Sequence, residues 1–312
     1  MQSMKRSSVN RTFLPPVDSA AHRSDQWLPV IALLIAALLW GGSFSAMRLS
    51  VQAINPWSVM WLRMIVALAV ILPFARRLNI AAYQRGDWRL LLPMVLFQPC
   101  LYFLLESYAL KFTTSSQAGV ISASVPVMVA VGAWLLLREP VGPRTFVGLL
   151  LSVAGVVILS LTGQAGNTAA NPLLGNALEL CAMASAAVNI IIVKRLCRRY
   201  NPWALTALQV AAGTLFFTPG LVLLVRQPPV LWTGPLIFSL VYLGALVTLG
   251  AFGLYNWGMS RIPASRASAF INLVPVTAVA IGWMALGESL SGMQCLAAAA
   301  VVVGVAVSQK RS

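Results

Sequence analysis

The chain has 312 residues, 59% of them hydrophobic and only 9% charged, with a mean hydropathy of +0.83. Soluble domains carry about 25% charged residues, and a chain this short of Lys, Arg, Asp and Glu cannot cover an aqueous surface, so a soluble globular protein is excluded. A formal charge of +15 would suggest nucleic acid in a soluble domain, but its placement along the chain excludes that partner too. The four cysteines (Cys100, Cys181, Cys197 and Cys295) show no C-x-x-C spacing, and the single histidine, His22, lies in a polar tail. No disulfide framework, metal site or cofactor is therefore expected.

Residues 1–27 form a basic tail with Pro15 and Pro16, expected to be disordered and cytoplasmic. Beyond it, a hydrocarbon core of about 30 Å asks for about 20 apolar residues per helix, and ten such runs follow. They cover 28–47, 56–75, 90–110, 115–137 and 145–163 in the first half, then 172–193, 202–225, 234–259, 267–287 and 290–308 in the second. Breaks fall at Asn55-Pro56, Arg76-Arg77, Lys111 to Ser115, Glu139-Pro140, Gly163 to Pro172, Arg198-Arg199, Arg226 to Pro229, Arg261 to Arg266 and Gly287-Glu288.

With the N-terminus inside and sides alternating, 18 of the 22 Lys and Arg fall on the cytoplasmic side. Only Arg48, Lys111 and Arg226 fall outside, and Arg63 lies within a run. This asymmetry fixes the orientation, and its spread over several short segments leaves no continuous basic face for nucleic acid. The fold class expected is an all-α integral membrane protein with ten transmembrane helices and both termini cytoplasmic.

The two halves repeat one another. Asn55-Pro56-Trp57 recurs as Asn201-Pro202-Trp203, a shift of 146. A shift of 149 then matches Ser116 with Ser265, Val125-Pro126-Val127 with Val274-Pro275-Val276, Trp134 with Trp283, Glu139 with Glu288, and Gly155 with Gly304. Each copy holds five helices, one over 28–163 and one over 172–308. Five is odd, so the copies are inverted in the membrane, an arrangement that predicts alternating access with a site near the midplane.

The chain resembles a ten-helix, EamA-type member of the drug/metabolite transporter superfamily. The resemblance is carried by Trp40-Gly41-Gly42-Ser43-Phe44, by the stretch from Tyr108 to Gly119 leading to Pro126, by Glu139 and Glu288 closing the fourth and ninth runs, and by the glycine-spaced fifth and tenth runs. It spans about residues 28–308; in the second half Ala186-Ala187-Val188-Asn189 stands where the first has Trp-Gly-Gly-Ser. The resemblance implies export or exchange of small metabolites, often amino acids or amines, across a bacterial inner membrane. It further implies a cavity lined by the first, third, fourth, sixth, eighth and ninth helices, with the fifth and tenth behind.

Three ionisable residues lie clearly inside the runs, Arg63, Glu106 and Glu179. Each costs about 2.5 to 3.5 kcal/mol to insert and so marks function by default. Arg63 is expected either to pair with one of the two acids or to snorkel outward. Glu106 is the first choice for a free acid that binds a cation or a proton, because the resemblance implies that the third helix lines the cavity and because Tyr102 stands one turn away on the same face. Pro126 and Pro275 sit in matching runs, each freeing the carbonyl four residues earlier (Ser122 and Ile271), and are candidate hinges. Trp40, Ser43 and Phe44 share a stripe suited to an apolar or cationic group. Tyr255, Asn256 and Asn272 are polar groups expected to face the interior. The small residues Gly148, Ser152 and Gly155, with Ala297, Ala300 and Gly304, predict close packing of the fifth and tenth helices. Glu139 and Glu288 are expected to serve the N-terminal dipoles of the helices that follow them.

The function expected is a secondary active transporter that exports or exchanges small metabolites, amino acids or related amines first. A multidrug or lipophilic-cation exporter is the alternative, and a receptor or scaffold without flux a remote one. No Walker pattern is present, and the spans hold no aspartate or histidine, which disfavours an enzyme. The partners expected are a small-molecule substrate, the lipid bilayer and, as candidate coupling ion, protons; the chain is expected as a monomer or homodimer in the inner membrane.

Overall fold

The computed structural model describes residues 19–77, 83–137, 143–162, 169–261, 267 and 270–309. Glu139 and its expected role lie outside them, as does the tail up to residue 18. The described elements are all helical, as a bilayer demands of any open chain whose backbone must satisfy its own hydrogen bonds.

The first half contains α1 (Ser19–Ala53), α2 (Pro56–Ile71), α3 (Trp88–Phe112), α4 in two pieces (Ser115–Ser122 and Val125–Leu137) and α5 (Pro143–Leu161). The second contains α6 (Pro172–Leu196), α7 in two pieces (Pro202–Phe216 and Pro219–Arg226), α8 (Gly234–Arg261), α9 (Phe270–Leu286) and α10 (Gly292–Gln309). Five of them, α1, α2, α3, α6 and α8, are long and apolar enough to cross a membrane, and α7 is a sixth if its pieces form one span.

The repeated Asn-Pro-Trp motif is a helix start used twice. The Asn55 side chain accepts from Trp57 N at 3.0 Å and that of Asn201 from Trp203 N at 2.9 Å. The proline occupies the first helical position, where a missing N–H costs nothing.

Several runs depart from the expected bounds or from uniform helix. The first continues six residues beyond 47, carrying Arg48, which is buried and paired with Glu288. In α3, Gln98 (φ −148°, ψ 122°) interrupts the helix ahead of a cis Gln98-Pro99 bond, within a π segment at Leu96–Leu101. In α8 a π segment spans Tyr242–Ala251; the Thr248 hydroxyl donates to Leu243 O at 2.7 Å, five residues back. The two segments fall at corresponding places in the two repeats. The pieces of α7 meet at 48° just before Pro219, and Gly220 there packs so closely that a Cβ would lie 2.2 Å from Trp57 O.

The prolines of α4 and α9 are also placed differently from a kink in a continuous helix. Helix α4 is already broken by the Ala123-Ser124 turn, and Pro126 lies in the first turn of the second piece. Pro275 likewise lies in the first turn of the α-helix Leu273–Leu286, after a 3₁₀ turn at Phe270–Asn272. Both positions tolerate proline because the first turn has no carbonyl to receive its N–H.

Helix α1 packs against α8 and α9, the first piece of α4 against α9, the C-terminal part of α3 against α6, and α5 against α10. At Gly155 of α5 a Cβ would stand 2.8 Å from Ala297 O and 2.9 Å from Val301 N. The small-residue stripe thus brings two backbones together.

Candidate functional site

A cavity lies between α1, α3, α4, α6, α8 and α9, and among the described residues α5 and α10 contribute nothing to its lining. Five pairs of its lining residues are related by the repeat: Trp40 with Ala186, Ser43 with Asn189, Phe44 with Ile190, Ser122 with Ile271, and Val125 with Val274. The cavity therefore sits where the two copies face one another.

One wall is aromatic. The ring of Trp40 lies 5.1 Å from that of Phe252 and 4.8 Å from that of Tyr255, both tilted. Neither Trp40 Nε1 nor the Tyr255 hydroxyl has a hydrogen-bond partner among the described residues, so two donors face the cavity unused. Such a group, buried and unpaired, costs free energy until a ligand or water satisfies it.

Another wall is amide. Breaking α3 at Gln98 frees backbone groups, and side chains from α6 and α7 take them up. Gln209 Nε2 donates to Gln98 O and Ser185 Oγ to Phe97 O, both at 2.9 Å, while Asn189 Nδ2 donates to the side-chain Oε1 of Gln98 at 2.7 Å. The lining carries no formal charge among the described residues. The cavity thus offers apolar surface and neutral hydrogen-bonding groups.

The charged residues stand one layer behind it. Arg63 of α2 is 1% exposed; its Nε donates to Thr248 Oγ1 at 2.5 Å, its guanidinium lies 3.9 Å from the Phe103 ring centroid, and its Nη1 is 3.7 Å from Glu106 Oε2. The Tyr102 hydroxyl, from a cavity-lining residue, donates to Glu106 Oε1 at 2.6 Å. Glu106 is therefore engaged from two sides and is not the free acid the sequence suggested. Glu179 of α6 is fully buried, and neither of its oxygens has a hydrogen-bond partner among the described residues. The repeat has no second copy of this cluster: Gln209, Tyr255 and Leu33 stand at the positions related by the repeat to Arg63, Glu106 and Glu179.

Of the remaining sequence-derived candidates, Tyr102, Ser122, Tyr255 and Asn256 line the cavity with Trp40, Ser43 and Phe44, whereas Asn272 is half-buried outside the lining. The sequence reading missed Gln98, Asn189 as a lining residue, Met183 and Phe252. Applying the 146-residue shift to Ser43 would have found Asn189.

Glu288 corrects its expected role. Gly287, in the left-handed region at φ 63°, closes α9, with Glu288 N donating to Gly282 O at 3.2 Å. The carboxylate then turns away from α10, whose N-cap bond comes from Ser291 Oγ, accepting from Gln294 N at 3.3 Å. It accepts instead from the start of α4: Ser115 N and Ser116 N at 2.9 Å, Ser115 Oγ at 2.8 Å and Ser116 Oγ at 2.7 Å. Arg48 Nε lies 3.1 Å from it, and the Arg48 guanidinium also donates to Thr113 O and, at 3.5 Å, to Leu110 O. At the repeat-related place, Lys194 Nζ donates to Met259 O at 2.5 Å; Lys194 is the counterpart of Arg48 and Met259 of Leu110.

The chain matches the EamA-like transporter family twice, over residues 27–161 and 173–309. It is 27% identical over 313 residues to the uncharacterized transporter YetK of Bacillus subtilis (strain 168), covering 97% of this chain and 94% of that one. It is 24% identical to an uncharacterized transporter of Archaeoglobus fulgidus, over 88% of this chain and 95% of the other. A solved crystal structure superposes with a TM-score of 0.61 at 21% identity, covering 89% of this chain and 95% of that one, a likeness of fold alone. With a family match across both halves and apolar helices of membrane-spanning length, the chain is a multi-pass membrane protein and a transporter of the EamA-like family.

Proposed function

We propose that this transporter carries a small amphipathic metabolite, with amino acids first and related amines second, across a bacterial inner membrane by alternating access. The observation that carries the reading is the cavity itself, lined in repeat-related pairs by aromatic, aliphatic and neutral polar side chains. An apolar side chain fits the wall of Trp40, Phe44, Phe252 and Tyr255. The polar end of such a molecule fits Asn189, Gln98 and the unpaired hydroxyl of Tyr255. In this reading ten helices form two inverted five-helix bundles with both termini in the cytoplasm, and ends of opposite sense open in turn.

The alternative, an exporter of lipophilic cations, calls for a carboxylate within the aromatic wall. Glu106 and Glu179 lie outside the lining, with Tyr102 between Glu106 and the cavity, which favours a net-neutral substrate.

The test is reconstitution of the purified protein in liposomes loaded with a mixed pool of amino acids, amines and common metabolites, with mass spectrometry of what leaves. Selective efflux of a few amphipathic amino acids is expected. Efflux confined to organic cations would overturn the substrate class, and ligand binding without efflux would overturn transport.

A further inference from the structure

We infer that Glu179 is the proton-binding site of this transporter, its carboxyl taking up a proton in one orientation of the carrier and releasing it in the other. The inference rests on the transport reading and adds to it a coupling ion and the residue that holds it.

The argument begins with the charge balance of one buried cluster. The side chains that face Glu179 with charge or a titratable group are Glu106 and Tyr102 from α3; Arg63 from α2 and Tyr242 from α8 complete the cluster through Arg63. It contains one guanidinium and two carboxyls. The guanidinium pairs with Glu106 at 3.7 Å, donates through Nε to Thr248 and lies on the face of Phe103, its Nη1 having no hydrogen-bond partner among the described residues, and Glu106 is further held by the Tyr102 hydroxyl. Glu179, fully buried, has neither a counter-charge at bonding distance nor a hydrogen-bond donor on either oxygen among the described residues. A carboxylate cannot persist in such a place; the group holds its proton instead. Arg63 neutralises one acid and a proton the other.

Position links that proton to the carrier's motion. Met183, one helical turn along the same face of α6, lines the cavity, and Ala186, Asn189 and Ile190 follow on the same helix. A shift of α6 that opens or closes the cavity therefore moves Glu179 with it. When that shift brings water or a donor to the carboxyl, the ionised form becomes tolerable and the proton leaves. The step balances as one O–H bond broken and one proton delivered to water on the exposed side. Tyr102 touches both the cavity and Glu106, so an occupant of the cavity can alter the cluster without entering it.

The test uses the full-length protein and has two independent readings. In the first, infrared difference spectra between acid and alkaline buffer are recorded for the wild type, Glu179→Gln and Glu106→Gln, without substrate. A protonated-carboxyl band that titrates, persists in E106Q and is lost in E179Q is expected. Its persistence in E179Q, or its loss in E106Q alone, would overturn the assignment. In the second, liposomes containing a trapped pH-sensitive dye and the mixed amino-acid pool are placed under an imposed pH gradient. Wild-type efflux should change severalfold with the gradient and move protons, and E179Q should lose both responses. A gradient response that survives in E179Q would count against the proposal. Should E179Q fail to fold, Glu179→Asp, which keeps the carboxyl, replaces it, with a shifted titration midpoint expected and an unchanged one counting against. Absence of wild-type efflux would defeat the transport reading while the infrared result still decided the proton site.

Discussion

Arg48 and Glu288 come from opposite halves of the chain, yet Arg48 Nε lies 3.1 Å from the Glu288 carboxylate at the start of α4. The carboxylate also accepts from the backbone and hydroxyls of Ser115 and Ser116. One acid thus joins α1, α4 and the end of α9. Removing one partner of a buried, hydrogen-bonded ion pair costs about 3 to 5 kcal/mol. Glu288→Ala should therefore lower the Tm in detergent by many degrees, and Arg48→Met should do so less once both are combined than the two single losses added. Wild-type melting of E288A would show the pair to be structurally idle.

The repeat places Lys194 on Met259 O as it places Arg48 on Leu110 O. If these bonds close the two ends of the cavity, weakening them should act in opposite senses. In a cysteine-free background carrying Ser43→Cys, labelling by a membrane-impermeant maleimide from outside should rise with Arg48→Met and fall with Lys194→Met. Equal labelling in the two variants would separate these residues from gating.

Trp40 packs its ring against those of Phe252 and Tyr255 in the aromatic wall of the cavity. Aromatic pairs contribute about 0.5 to 1.5 kcal/mol beyond burial, and a ligand stacked there would lose comparable contact. Trp40→Ala should raise the half-saturating substrate concentration about tenfold, equivalent to about 1.4 kcal/mol, while folded protein is still recovered. An unchanged concentration dependence would place the substrate elsewhere.

Close backbone approach of α5 and α10 predicts a graded response at glycine. Gly155→Ala puts a methyl within 3 Å of backbone atoms of α10 and of Val301 Cγ2, an overpacking that costs about 1 to 3 kcal/mol. Gly234→Ala meets nothing within 4 Å and should leave the melting curve in place. Equal melting of the two would deny the tight contact.

Outside the membrane segments, Asp87 accepts from the Tyr200 hydroxyl at 2.5 Å, from Gln84 N at 2.8 Å and from Arg199. The Tyr200 bond first, then the backbone bond and Arg199, hold its carboxyl below the usual aspartate range. A depressed folded-state value means that this tie is intact above the ordinary aspartate pKa of about 3.9 and is lost as pH falls through the lowered value. Limited proteolysis after Tyr83 should therefore be unchanged from neutral pH to about pH 4 and should accelerate below it, whereas Asp87→Asn should be cut faster throughout. A wild-type increase already at pH 6 would contradict this order.

What the sequence disclosed was what periodicity and composition encode locally. The apolar runs, the Asn-Pro-Trp helix starts and the small-residue face of α5 all needed only neighbours in sequence. Arg48 was read as an outer charge because its partner lies in the other half of the chain, and Glu288 was assigned to the next helix for the same reason. The break in α3 had a local sign in Pro99, but the π segment in α8 had none, since it contains no proline and turns on one threonine hydroxyl. Glu106 was preferred over Glu179 on the resemblance of its helix to a cavity helix and on spacing to Tyr102, and that very neighbour is what occupies it.

The cavity was built from two copies of one design, but the charged cluster has no second copy: Arg63 and Glu106 come from the first repeat and Glu179 from the second, with Gln209, Tyr255 and Leu33 at their counterparts. A membrane voltage acts on charge at about 2.3 kcal/mol per elementary charge per 100 mV, and this cluster, which straddles the two repeats, has no symmetry mate to balance it. With the proton on Glu179 the cluster is neutral; without it, one negative charge travels. If Glu179 carries the transported proton as proposed, the two legs of the cycle are electrically unequal, one driven by the voltage and the other indifferent to it, although the scaffold that performs them is the same bundle used twice.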